Sequence, residues 1–105
     1  IAMEELEISL MQIISYSGEA RSLCFEALQS YRDGDKEAGR KQYKDAEENL
    51  YTAKRAHSRI LKQSANGEFD QISLLMVHAE DQMMASEIIY QMTRELFHCM
   101  SETKG

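Results

Sequence analysis

The chain has 105 residues, 43% of them hydrophobic and 29% charged, which fits one folded domain over residues 1–105 and excludes a disordered segment. Twelve basic residues stand against eighteen acidic ones, for a net charge of −6, which argues against nucleic-acid binding. Proline is absent and there are only five glycines, so long, uninterrupted helices are expected.

Ile1 and Ala2 precede Met3 and are set aside. The first expected helix covers 4–32. Leu6, Leu10, Ile13, Ala20, Cys24, Ala27 and Tyr31 recur at three- and four-residue spacing, interrupted only by Ser17, and give it one buried face. Asp33-Gly34-Asp35 then supplies a stop and a start. Gly34 can take the positive φ of a helix C-terminus, and Asp35 can cap the next helix. The second expected helix covers 36–65, with Tyr43, Ala46, Leu50, Ala53, His57 and Ile60 on its seam. Between Lys36 and Lys62 lie eight basic and four acidic residues, a run read as a solvated face. Asn66-Gly67 ends this helix, and Asp70 is the expected N-cap of a third over 70–103. Each helix spans about 45 Å at ~1.5 Å per residue, and the short connections make neighbours antiparallel.

The third helix differs from the others. Ile72, Leu74, Leu75, Met76, Val77, Ala79, Met83, Met84, Ala85, Ile88, Ile89, Met92, Leu96 and Phe97 surround it on nearly every side. Two other helices of a small bundle cannot cover such a surface, so it is expected to pack against copies of itself in a homo-oligomer. Met83, Met84 and Met92 are read as core filler. The longest apolar run, Leu74 to Val77, is far short of the ~20 residues that span a membrane. No secretory signal is visible, and a cytoplasmic protein is expected. Cys24 and Cys99 lie on separate helices in no CxxC pattern and are read as buried, reduced thiols.

One seam of the third helix reads Leu74, His78, Asp81, Ala85, Ile88, Met92. His78 and Asp81, three apart, share a face, with Gln82 at its side and Glu80 rotated away. His78 can be a hydrogen-bonded core histidine, a nucleophile, since a free imidazole has a pKa near ~6.5, or half of a metal-ligand pair. Asp81, a carboxylate on an apolar seam, needs a cation, a donor or a proton. Convergence of several Asp81 side chains at a symmetry axis would demand a bound cation or a raised pKa. His57 is read as a satisfied, partly buried histidine, and His98 as a favourable residue near a helix C-terminus. There is no Gly-rich phosphate loop, GxSxG or HExxH.

The stretch Leu74-Leu75-Met76-Val77-His78-Ala79-Glu80-Asp81-Gln82-Met83-Met84 resembles the signature of the lactose/cellobiose/chitobiose-type IIA component of the bacterial sugar phosphotransferase system (PTS). Ile13-Ile14, Ser17-Gly18-Glu19-Ala20-Arg21-Ser22 and Glu26-Ala27-Leu28 resemble the family's first helix. Gly34-Asp35 matches its turn and Ala56-His57 the pair in its second helix. The similarity covers roughly residues 4–100 in order.

This resemblance implies an all-α protomer of three long antiparallel helices that assembles into a homotrimer. It implies a phosphoryl group accepted on His78 from the histidine phosphocarrier protein HPr and passed to a cysteine of a IIB component. A membrane IIC component then imports and phosphorylates a β-linked disaccharide such as cellobiose, chitobiose or lactose. Asp81 aligns with the aspartate that holds a metal ion, typically Mg2+, at the trimer axis. Glu80 stands where the family usually has Gln, Gln82 where it has a second His, and Ile60 where it commonly has Gln. Glu80 and Gln82 are thus neighbours of the phosphate site, the first an added acid, the second a donor that does not titrate. Two other readings are a regulatory or scaffolding helical trimer without phosphotransfer and a metal-binding bundle.

Overall fold

The expected stripes close into three helices. The computed structural model describes residues 3–102 and contains α1 (Met3–Arg32), α2 (Lys36–Ala65) and α3 (Leu74–Glu102), with no strand among the described residues. They lie side by side in a rod of 56 × 19 × 18 Å. The all-α, three-helix expectation therefore holds for the protomer.

Both connections use one device. Gly34 has φ 94° and Gly67 φ 73°, the left-handed conformation that costs a residue with a Cβ most. The Gly34 N–H donates to the Tyr31 carbonyl at 3.1 Å and the Asp35 N–H to Ser30 at 2.9 Å. The same pattern recurs at Gly67 to Ser64, 3.1 Å, and Glu68 to Gln63, 3.0 Å. Each is a Schellman motif, which satisfies carbonyls that the helix end leaves unpaired. Asp35 caps α2 as expected, its Oδ1 accepting from the Ala38 N–H at 3.1 Å.

The start of α3 corrects the sequence reading. Asp70 is not the N-cap and the helix does not begin at 70. Phe69 packs on the core and holds the following residues out of helical conformation. The chain turns helical only after Ser73, whose hydroxyl accepts from the Met76 N–H at 3.2 Å, the usual N-cap to N3 bond. Residue 103, the expected last helical position, lies outside the described residues.

The α1–α2 seam is built of small side chains. Ala20, Cys24 and Ala27 of α1 and Ala46, Ala53 and Ala56 of α2 are all buried along it. At Gly39 a Cβ would stand 3.0 Å from the Ala27 carbonyl oxygen and 3.3 Å from Tyr31 Cδ1, so only glycine permits this approach. Larger residues close one end, where Leu6, Leu10, Ile13, Ile60, Ala79 and Met83 form a shared cluster.

Polar and aromatic contacts tie α3 on. The Ser86 hydroxyl donates to the Ser17 carbonyl at 2.7 Å and accepts from the Arg21 guanidinium at 3.0 Å. Ser17, the one interruption of the α1 stripe, is thus buried beneath a polar stitch. Toward the other end Tyr43 stacks on Tyr90 and Tyr31 leans on Phe97, both with centroids 4.6 Å apart.

One expectation about burial needs correction, that of Cys99, and the methionines divide within the protomer. Of the three methionines read as core filler, only Met83 is buried; Met84 and Met92 are 54% and 55% exposed. They lie on the side of α3 turned away from α1 and α2, with Leu74, Val77, Ile88 and Leu96. Cys24 is buried, but Cys99 is exposed, because it falls seven residues after Met92 on that same outward side. Burial pushes the Cys24 thiol above its ordinary pKa. No helix among the described residues is long and apolar enough to cross a membrane.

Candidate functional site

His78 lies in the second turn of α3, where the Ser73 cap has already fixed the helix direction. Ala79 and Met83 point inward and bury themselves against α1 and α2. That anchoring dictates the rest of the face. Leu74, His78, Asp81, Ala85, Ile88 and Met92, the seam singled out in the sequence, are all exposed in the protomer. Leu74, at 83%, is the extreme. Among the described residues, neither His78 nor Asp81 has a hydrogen-bond or ion-pair partner. Gln82 is half-buried at the edge of the face.

Glu80 leaves this group. It follows His78 by two residues, a rotation of about 200° on a helix. Its carboxylate therefore turns to α2 and meets His57 Nε2. The acid adjacent to His78 in sequence does not face the same way as His78. His57 is largely covered, with 17% of its side chain exposed, and it is satisfied, as expected for a seam histidine. The pairing itself was missed. The signal was present: folding α2 back on α3 about Gly67 brings 57 level with 80, and the same register brings Lys54 to Glu87 at 2.8 Å.

Beside the His57–Glu80 pair lies an apolar cleft of about 380 Å³, walled by Leu10, Ile13, Ile60, Phe69, Met76 and Val77. Val77 joins it to the outward face, since the next residue is His78.

The metal expectation meets a clear geometric condition. No three His, Cys, Asp or Glu side chains among the described residues come together to hold an ion. One protomer offers Asp81 alone: an exposed oxygen donor, suited to a hard cation, on a face of apolar neighbours. A site there requires carboxylates from other copies.

The arrangement can present an imidazole to an incoming protein from a rigid helix. It supplies no acid–base partner for bond-making within the protomer, so any reacting group must come from outside it.

The model of the PTS lactose/cellobiose-specific IIA subunit matches residues 8–101. The lichenan-specific phosphotransferase enzyme IIA component of Bacillus subtilis is 35% identical over 105 residues, covering 97% of this chain and 96% of that protein. Two solved structures are similar throughout. PtcA from S. mutans has a TM-score of 0.90 at 28% identity, covering 96% of this chain and 99% of that one. The PTS cellobiose-specific enzyme IIA from Bacillus anthracis has a TM-score of 0.88 at 28% identity, covering 100% and 96%.

Proposed function

From the premise that this chain belongs to the lactose/cellobiose-specific IIA family of the PTS, we propose that it carries a phosphoryl group on His78 between two other proteins. One observation supports this above the rest: His78 is exposed and unpartnered on α3, within the stretch that resembles the family signature, while His57 is engaged by Glu80.

The chemistry asks little of the protomer beyond placement. Phosphoryl transfer is catalysed mainly by positioning and charge stabilisation. A ring nitrogen of neutral His78 attacks the phosphorus of the phosphohistidine on the donor, HPr. The donor's N–P bond breaks, its imidazole leaves, and an N–P bond forms on His78. In the second half a cysteine thiolate of the IIB component attacks the same phosphorus. An S–P bond forms as the N–P bond on His78 breaks, and the His78 imidazole leaves unphosphorylated. Both exchanges run between high-energy bonds, so neither needs a nucleotide. Gln82, at the edge of the face, can donate a hydrogen bond to a phosphoryl oxygen. Glu80 acts instead as a tie between α2 and α3.

The carrier works as a cytoplasmic homotrimer, with the outward faces of three α3 helices in contact. This assembly covers the exposed Leu74, Ile88 and Met92 and gathers three Asp81 carboxylates. Asp81 from each copy would hold a Mg2+ ion, whose positive charge would offset the repulsion of the gathered carboxylates. The sugar imported through the IIC component is β-linked, as the lichenan and cellobiose names of its relatives suggest.

The test is incubation with phosphoenolpyruvate, enzyme I and HPr, followed by mapping of the acid-labile phosphate. We expect it on His78, with His78→Ala unable to accept it while remaining helical. Uptake by His78→Ala at a similar rate overturns the assignment and moves it to His57. No uptake by the wild type leaves the scaffolding trimer as the better reading.

A further inference from the structure

The cations of α2 are unevenly matched. Lys41 pairs with Asp45 at 3.2 Å and Lys54 with Glu87 at 2.8 Å. Lys36, Arg40 and Lys44 have no carboxylate partner among the described residues, and farther along the helix neither do Arg55, Arg59 and Lys62, although the chain as a whole is acidic. These last three recur at three- and four-residue spacing, so they line one side of α2, with Tyr51 one turn ahead. The Arg55 guanidinium lies over the Tyr51 ring, 5.8 Å from its centroid, and that tyrosine is 62% exposed.

The stripe points away from the rest of the protomer. His57, which reaches Glu80 on α3, is two residues from both Arg55 and Arg59 and projects from the opposite side of the helix. Ala53, Ala56 and Ile60 occupy the inner side. Arg55, Arg59 and Lys62 are therefore all exposed in the protomer, on a different helix from the outward face of α3.

Among the described residues no contact pairs these three cations with an acid. Like charges one turn apart repel. The helix dipole favours Lys62, in the last turn, but fades within that turn and leaves Arg55 and Arg59 unexplained. We propose that Tyr51, Arg55, Arg59 and Lys62 form a docking surface for a protein partner presenting a carboxylate-rich segment. The stripe of cations is about 10 Å long at ~1.5 Å per residue, the reach of two or three carboxylates on a peptide. Tyrosine and arginine are the residue types that anchor protein interfaces. A nucleic acid fits less well, because three cations neutralise few phosphates and the chain's net charge of −6 repels a polyanion. This surface is separate from the His78 face, and its existence does not depend on phosphotransfer.

The probe is a fluorescein-labelled ten-residue peptide of glutamates with one central phenylalanine, titrated with the whole protein and read by anisotropy. A glutamine counterpart, phosphatidylglycerol vesicles and oligouridylate serve as alternatives. We expect saturable binding of the acidic peptide that weakens as salt rises, and an affinity loss of about tenfold or more in Arg55→Glu/Arg59→Glu. Arg55→Lys/Arg59→Lys should keep most of the binding, and both variants should melt like the wild type. Absence of binding, equal binding of the glutamine peptide, or an unchanged affinity in the charge-reversed variant overturns the proposal. Tighter binding of vesicles or oligouridylate through the same arginines overturns it in favour of a membrane or an RNA.

Discussion

Ile88→Glu tests whether the outward face of α3 is an assembly surface. Ile88 is 59% exposed in the protomer, one turn beyond Met84 and seven residues after Asp81. Burying a whole isoleucine is worth roughly 1.5–3 kcal/mol, so covering the exposed part returns roughly 1–2 kcal/mol per copy. Three copies then supply roughly 3–5 kcal/mol to a trimer. Glutamate forfeits that gain and sets three carboxylates in an apolar seam, at a further cost of several kcal/mol. A total near 6 kcal/mol weakens assembly by about four orders of magnitude. Light scattering at micromolar concentration should give a mass near three times 12.1 kDa for the wild type and near 12.1 kDa for the variant. Far-ultraviolet circular dichroism should stay helical, because Ile88 contributes nothing to the core cluster. A wild type that runs as a monomer, or a variant that remains trimeric, refutes the burial argument.

The remaining predictions address single groups. Chelator should lower the melting temperature of the wild type by removing about 3 kcal/mol of linkage at ~100-fold metal excess, and Asp81→Leu should melt identically with and without EDTA while still trimerising; equal chelator responses in the two proteins refute the metal role. Gly34→Ala should cost about 1–2 kcal/mol in a denaturant titration, because φ is 94° and the added Cβ meets nothing within 4 Å, so the whole effect is backbone strain. Burial, reinforced by the hydrogen bond to Tyr90, raises the Tyr43 phenol above its ordinary pKa of 10.0. The folded state therefore keeps that proton longer than the unfolded chain. The stabilisation is complete below about pH 10 and drains away as pH climbs through the folded pKa, so alkaline unfolding should be shallower in Tyr43→Phe.

Most of the architecture was legible because it rests on local rules. The stripes of α1 and α2 follow from apolar spacing alone, and both turns were marked by a glycine whose positive φ the structure confirms. The start of α3 was misplaced because two caps competed. Asp70 and Ser73 are both good N-caps, and what decides between them is Phe69 reaching the core, a tertiary contact that no local pattern encodes. The site divides in the same way. The shared face of His78 and Asp81 follows from helical periodicity. The destination of Glu80 required the register of α2 against α3, which local spacing does not contain. Composition reveals how much apolar surface α3 carries, but not which part the protomer itself covers, so the division between buried Met83 and exposed Met84 and Met92 is not legible from it.

The unequal joints of the bundle set an order of events. The α1–α2 pair is a hairpin closed by a three-residue turn, so its contacts begin beside that turn, between Ala27 and Gly39, and extend outward from there. The ties of α3 to α1 instead span 65 to 70 residues, from Arg21 and Ser17 to Ser86 and from Tyr31 to Ser101, while its ties to α2 at His57–Glu80 and Lys54–Glu87 span 23 and 33. Local contacts form early and distant ones late, so the hairpin is the template and α3 is the last piece to settle. Opening runs in reverse, and in native-state hydrogen exchange the amides of α3 should report the lowest local stability. The proposed self-association through α3 would therefore secure the helix that bears His78. A protomer outside the proposed assembly would expose that segment to proteolysis, so the survival of His78 would be coupled to association.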